Sequence, residues 1–542
     1  MSSQQRQQQQ LSGISQSSQF EISDQYRSDQ FKDFVRTCLN GSHKDSLPFP
    51  HFAFTDFLAN SSVLSDLRRE LQSAAWVPKC NDLYSLSQTV DLADFQSDHY
   101  PTLCSFREFM ANEVRKWLMV VTGGRAFAFV LYLSPDWNES DGGLLCLFDS
   151  DPAKNYPTDV TKSIQPRENT FSLFRVQHNS WHCVSEVLSE QKQRLSLNGW
   201  FHYPPEVAVV APTGPDSAVE EPVARIEPSM NITLAEVNEW LSSNYIRPGQ
   251  HRQIKRIFAY KSELSLQQFL NAERYNSALN ELEKAQFECV GPPHKRKVWR
   301  LVESSLEQHS VLLSLLRLFR SEAITLLLTQ WTGLHLYDLK KTKREEEPSP
   351  KETGGGPAEA GEPLKKRRKP GEGEGTTSRE RATEEGNVTK KVQIVSYIHR
   401  FEKGCYLMAD DQLAADTKNN GFCLDLMLFF GRKQECSAQN GGFVSYFAVG
   451  ETDEIMRVVP SMNTAAIVFR EPEVLNFTKY MNHRTGDDRF FVLSCSFFGI
   501  STGESESESS LNSAEEGEEE EEEEEEFEDE EEEEGEGGGT DS

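Results

Sequence analysis

Apolar and polar residues alternate in several short stretches of this chain. In RAFAFVLYLS (125–134), Phe127, Phe129, Leu131 and Leu133 form a bulky row, and Ala126, Ala128, Val130 and Tyr132 lie between them. That two-residue period predicts a strand with one face packed on a core and the other, smaller face leaving room. NTFSLFRV (169–176) and RLSLNGWFHY (194–203) repeat the pattern, with Gly, Pro and Asn punctuation between them, as in a sandwich or barrel. Helical spacing predicts a helix from Thr55 to Leu71 and another from Phe106 to Met119. Residues 233–338 read as helical, with capping boxes at Thr233/Glu236 and Ser304/Glu307 and a basic loop, PPHKRKVWR (292–300), between helices. VLLSLLRLFRSEAITLLL (311–328) is interrupted by Arg317, Arg320 and Glu322. It predicts a buried amphipathic helix, because a membrane span needs roughly 20 mostly apolar residues. Strand character returns at 392–500 in GFCLDLMLFFG, GGFVSYFAVG, NTAAIVFR and RFFVLSCSFFG.

Charge and composition add the segments between. The formal charge is −30, but residues 504–542 carry 23 acidic side chains and no basic ones, which leaves −7 for the rest. The acidity therefore belongs to a tail whose glutamates repel one another and cannot bury a core. The Gln/Ser-rich start has no apolar signal-peptide core. The 10 cysteines are scattered without a C-x-x-C, which predicts a reduced, intracellular protein. LKKRRKP places five consecutive basic residues, Lys365 to Lys369, in a Gly/Pro/charge-rich linker, a nuclear-import candidate. The expected organisation is a disordered 1–27, an N-terminal β domain at 28–210, a connecting and helical segment at 211–340, a disordered linker at 341–391, a C-terminal β domain at 392–500 and a disordered acidic tail at 501–542.

The two β regions also read as copies of one fold. Gly142-Gly143, Asn169-Thr170 and Arg194 in the first correspond to Gly441-Gly442, Asn463-Thr464 and Arg489 in the second. In the first, His182 and Arg194 open consecutive strands, and Arg194, Ser196 and Asn198 share one strand face. A polar row of that kind suits a lumen holding a charged ligand. Arginine gives a buried carboxylate a planar, bidentate, permanently charged partner. A lone histidine is more often structural than a metal ligand.

NDLYSLSQT, FAFVLYLSPDWNESDGGLLCLFD, SWHCVSEVLSEQKQRLSLNGWFH and LFRSEAITLLLTQWTGLHL closely resemble one family, the nuclear 2-oxoglutarate- and iron-dependent oxygenases that 3-hydroxylate a proline of a small-subunit ribosomal protein. The resemblance runs from about residue 30 to about residue 500. It implies a mainly β fold with helices, built of two double-stranded β-helix (jelly-roll) domains, the first catalytic and the second without a metal site. It implies Fe(II), 2-oxoglutarate and ascorbate, and residence in nucleus and cytoplasm. His182 matches the distal iron ligand, Arg194 the residue that pairs with the 2-oxoglutarate carboxylate, and Tyr132 a hydrogen-bond donor to the same cosubstrate.

The family's other two iron ligands form a His-x-Asp on a strand before the one at 125–134, where i and i+2 reach one metal. Here the helix ending near Met119 runs almost directly into Val120–Arg125, and no histidine occurs between His99 and His178. Among the 12 histidines only His43 has an aspartate two residues on, in the polar GSHKDSLPFPH before the fold. His99 lacks such a partner and His178 lies too close to His182. The second β region offers Asp425 without a histidine, and His483 in what reads as a turn. An internal deletion, as a skipped exon or gene-model error leaves, is the simplest account. The expectation is a hydroxylase gene whose product, as written here, is inactive. The alternative is a pseudo-oxygenase that binds ribosomal or translation proteins. No nucleic-acid site and no membrane segment is evident.

Overall fold

Main-chain pairing decides where the elements begin. The structure, a computed structural model, describes residues 19–40, 46–122, 126–151, 153, 155–202, 224–336, 392–409, 421–431, 439–451 and 453–500. Residues 1–18, His43, the linker with Lys365–Lys369 and the acidic tail lie outside the described residues. The described residues all fall in one compact unit, Met1–Ser501.

Its first part runs α1 (Asp29–Leu39), β1 (His51–Phe54), α2 (Ser62–Ser73), a hairpin of β2 (Val77–Cys80) and β3 (Ser85–Gln88), and α3 (Pro101–Phe109). A π-helical turn, Met110–Val114, joins α3 to α4 (Arg115–Thr122). Then come β4 (Phe127–Tyr132), β5 (Leu145–Ser150), β6 (Pro157–Ile164), β7 (Phe171–Arg175), β8 (His182–Val184) and β9 (Ser196–Phe201). Two antiparallel sheets result, ordered β1-β7-β4-β9 and β6-β5-β8. Phe49, Ala128 and Phe174 from the first meet Leu145, Leu147 and Ile164 from the second in a shared core. The opposite face of the larger sheet, with Phe127, Phe129 and Leu131, packs on the helices through Phe57, Leu67, Phe106 and Val114. Each such fully buried side chain contributes about 1.5–3 kcal/mol.

Two helix boundaries differ from the sequence reading. The helix expected from Thr55 starts at Ser62, because the Phe57 N–H donates to Asn169 O at 3.0 Å and the Asn169 side chain brackets Leu58. The helix expected from Phe106 starts at Pro101, where the Glu70 carboxylate accepts from Thr102 N and Leu103 N, each at 2.9 Å.

The second part runs α5 (Leu234–Trp240), α6 (Pro248–Lys261), β10 (Glu263–Leu266), α7 (Ala272–Leu282), β11 (Phe287–Val290), β12 (Arg296–Leu301), α8 (Val311–Phe319) and α9 (Glu322–Thr332). It continues with β13 (Gln393–Phe401), β14 (Tyr406–Leu407), β15 (Cys423–Phe430), β16 (Val444–Ala448), β17 (Glu454–Val458), β18 (Ala465–Arg470), β19 (Val474–Thr478) and β20 (Phe490–Phe498). The Thr233/Glu236 capping box forms. Ser304 instead lies in a short 3-10 turn, and Ser310 caps α8. The basic loop is partly β12, between strands. The apolar run 311–328 breaks at Arg320-Ser321, where Arg320 donates to both Glu303 oxygens at 2.6 and 2.8 Å. Among the described residues no helix is long and apolar enough to cross a membrane.

Residues 211–340 are more than a helical connector, since β10, β11 and β12 join β13–β20 in one 11-stranded sheet. The internal repeat begins inside this segment. Ser23 N donates to Phe57 O, and Ser242 N to Phe269 O. Trp117 Nε1 donates to Tyr26 O at 2.9 Å, and Trp331 Nε1 to Tyr245 O at 3.1 Å. Glu70 caps α3 as Glu281 caps α8. Asn169 brackets Leu58 and Asn463 brackets Leu270, both asparagines at positive φ. Strand pairing repeats too: β1-β7-β4-β9 corresponds to β10-β18-β15-β20, and β6-β5-β8 to β17-β16-β19.

The copies differ at one place. β13 pairs with β20 and β14 with β19. Their counterparts, β9 and β8, are sheet edges in the first copy, with no neighbouring strand among the described residues. In chain order β13 and β14 lie between α9 and β15, whereas the first copy passes from α4 to β4 through residues 123–126.

Candidate functional site

The polar row expected on β9 lies beside the end of β4. Tyr132 and Ser196 are opposite each other across the β4/β9 pair, and Tyr132 N–H donates to Thr170 O at 3.0 Å. Arg194 lies two residues before Ser196, with its guanidinium carbon 5.2 Å from the centre of the Tyr132 ring. Its Nε donates to Gly143 O at 2.8 Å. Gly143 has φ 65°, and a Cβ there would stand 2.8 Å from Arg194 Cδ. A side chain at 143 would therefore displace the arginine.

Among the described residues no carboxylate pairs with Arg194; the Tyr132 hydroxyl is buried within hydrogen-bonding reach of Ser172 and Arg194, and the Thr170 hydroxyl is buried without a partner. Buried polar atoms are rarely left unpaired. Burial raises the Tyr132 phenol above its ordinary pKa, against the pull of the neighbouring Arg194. Burial likewise lowers the Arg194 pKa, with Tyr132 opposing. One cation and three hydroxyl donors fit a buried carboxylate.

The second copy serves as an internal control. The sequence pairs Arg194 with Arg489, but the β15/β20 register places Phe490 there: Phe429 pairs with Val492 as Tyr132 pairs with Ser196. Arg489 is shifted by one residue, so it points to the other face, where it pairs with Glu283. Phe429 thus replaces Tyr132, Phe490 replaces Arg194 and Ala466 replaces Ser172. The Phe429 and Phe490 rings are 6.3 Å apart, and Phe490 stacks on Phe401 at 5.2 Å. That pocket is filled and apolar.

His182 begins β8 opposite Leu147, exposed, with its ring 4.6 Å from that of Phe174. Its Nδ1 lies 2.8 Å from Ser180 O. A carbonyl only accepts, so Nδ1 carries the proton and Nε2 keeps a lone pair, the arrangement of a ligating histidine. A second and third ligand are not brought to it: among the described residues no three His, Cys, Asp or Glu side chains converge as a metal site requires. Asp425 and His483 are engaged elsewhere. Asp425 is buried against Arg470, with Nε to Oδ2 at 3.0 Å. His483, in a 3-10 turn, donates its backbone N–H to Glu186 at 2.8 Å and holds its Nδ1 2.7 Å from the same oxygen. The described residues fit 2-oxoglutarate and do not fit Fe(II). Thr170, Ser172 and Gly143 escaped the sequence reading as site residues; Asn169-Thr170 and Gly142-Gly143 carried only the repeat.

Comparisons with known proteins give the family. Residues 82–202 match the 2OG-Fe(II) oxygenase superfamily, and residues 233–506 match the oxoglutarate and iron-dependent oxygenase degradation C-terminal family. Prolyl 3-hydroxylase OGFOD1 of Xenopus laevis is 32% identical over 471 residues, covering 81% of this chain and 84% of the relative. The Mus musculus protein of that name is 32% identical over 486 residues, covering 81% and 86%. Prolyl 3-hydroxylase sudestada1 of Drosophila melanogaster is 25% identical, covering 79% of each. The class is that of the 2OG-Fe(II) oxygenases, which use Fe(II) and 2-oxoglutarate. Within it, the chain belongs to the prolyl 3-hydroxylase OGFOD1 family.

Proposed function

We propose that this chain keeps the cosubstrate half of a prolyl 3-hydroxylase site and lacks the metal half, so that it binds 2-oxoglutarate without hydroxylating. The carrying observation is the buried cluster of the Tyr132, Thr170 and Ser172 hydroxyls beside an Arg194 that no carboxylate among the described residues neutralises. Arg194 supplies the charge for the distal carboxylate, Tyr132 and Ser172 donate to it, and Gly143 leaves the arginine room. In the family's reaction iron would supply the redox chemistry of 2-oxoglutarate turnover and proline 3-hydroxylation, to which ascorbate belongs; of the described residues His182 would hold it. In this chain His182 is the distal ligand position, left alone. The His-x-Asp belongs on the counterpart of β14, and the unpaired edges of β9 and β8 support the loss of a β13-β14 equivalent at residues 123–126. One histidine does not hold Fe(II) against water.

The two repeats are read as two double-stranded β-helix folds, the second non-catalytic because Phe429 and Phe490 occupy its cosubstrate position. The family relation and the acidic tail favour a small-subunit ribosomal protein as the bound partner, and Lys365–Lys369 favour passage through the nucleus as well as the cytoplasm. This is the scaffold reading for the chain and the hydroxylase reading for its gene. The test is titration of the metal-free chain with 2-oxoglutarate, followed by ligand-observed NMR. Saturable binding, not displaced by a monocarboxylate of equal length, is expected. Absence of saturation refutes the reading.

A further inference from the structure

Cys146 on β5 and Cys183 on β8 are direct partners across an antiparallel pair. Ser185 N donates to Leu144 O at 2.9 Å and Phe148 N to Trp181 O at 3.0 Å. These two bonded pairs bracket Cys146/Cys183, which falls in the hydrogen-bonded class of position, where Cα atoms stand about 5.5 Å apart. Disulfides most often span about 5.5–6 Å. Leu145 and Leu147, the neighbours of Cys146, point into the core between the sheets. The cysteines therefore share the opposite face, where Cys183 is partly accessible. Tyr406 and Tyr480 of the second copy lie within electrostatic reach of Cys183, and the Tyr480 hydroxyl is 3.3 Å from Glu186 Oε2.

We infer that Cys146 and Cys183 are a peroxide-responsive thiol pair that closes to a disulfide between β5 and β8. The Cys146 sulfur attacks one peroxide oxygen, the O–O bond breaks, and the departing hydroxide takes a proton to become water. Cys146 is then a sulfenic acid. The Cys183 sulfur attacks it, the S–S bond forms, the S–O bond breaks, and hydroxide leaves with the Cys183 proton as a second water. Two thiols are oxidised and one peroxide is reduced. The order follows from the environment: Cys146 faces Cys183 across the strand pair and lies against the Ser163 hydroxyl, and donors there favour its thiolate against burial. The thiolate is the nucleophile. Closure ties down the strand that carries His182.

The test is mass spectrometry of the full chain after hydrogen peroxide, digested without reductant. The expected product joins the Cys146 and Cys183 peptides with loss of two hydrogens. In Cys183→Ser, Cys146 is expected to persist as a sulfenic acid trapped by a dimedone probe, while Cys146→Ser leaves Cys183 unlabelled. Peroxide that leaves both thiols free, or that joins either to another cysteine, overturns the inference.

Discussion

Arg194→Leu is expected to weaken 2-oxoglutarate binding to the metal-free chain by at least about 30-fold. Removing one partner of a buried hydrogen-bonded charge pair costs about 2–5 kcal/mol. The loss should be large here because the remaining groups, Tyr132, Thr170 and Ser172, are neutral donors in a buried site. They orient a carboxylate but do not neutralise it. Arg194→Lys should recover part of the affinity, since an ammonium keeps the charge without the fork. The fold should tolerate both changes, because the Arg194 side chain bonds only locally, to Gly143 O and the Tyr132 hydroxyl, among the described residues. Titration by ligand-observed NMR with circular dichroism as control checks this. Unchanged affinity in Arg194→Leu would remove the arginine from the site.

In the second copy the large effect is on stability. Arg470→Met should destabilise the chain by about 3–5 kcal/mol, the cost of leaving a buried charge without its partner. Asp425 accepts from Arg470 Nε at 3.0 Å, Ser496 Oγ at 2.6 Å, Asn476 Nδ2 at 3.3 Å and Tyr446 OH at 3.3 Å, on five strands of one sheet. Without Arg470 the carboxylate keeps four neutral donors, these three and the Cys423 thiol, and loses its counter-charge. The double variant Asp425→Leu/Arg470→Met should recover most of the loss, because an apolar pair of similar volume removes both charges. Urea unfolding measures both. A single variant as stable as the wild type would show that the pair is not the strut of this interior. Asp425 corresponds to Ala128 and Asn476 to His182 in the first copy, so an ionic network occupies the place of an apolar cluster there.

The alternation of 125–134 and 194–203 placed Tyr132 and Arg194 correctly, because a two-residue period fixes faces once one row is bulky and apolar. The register of the second copy was not legible. NHRTGDDRFF offers Arg489 as an obvious match for Arg194, and only the β15/β20 pairing shows that Phe490 holds the position. The start of the repeat was hidden for a similar reason. Its markers at Ser23/Ser242, Trp117/Trp331 and Glu70/Glu281 are single side chains that bond to backbone far along the chain. They carry no local periodicity. Thr170 and Ser172 looked like ordinary strand residues until the fold buried their hydroxyls near Tyr132. The short junction at Val120–Arg125, by contrast, was visible in the sequence, and in the second copy β13 and β14 lie between α9 and β15.

The family relation and the geometry pull in different directions only over iron. The most direct measurement is succinate formation by the purified full chain given Fe(II), 2-oxoglutarate, ascorbate and a proline-containing peptide of the ribosomal protein. The account predicts succinate no higher than in iron-free controls, from a chain that binds 2-oxoglutarate in the same buffer. Iron-dependent succinate stimulated by the peptide would contradict it and would require two ligands beyond His182.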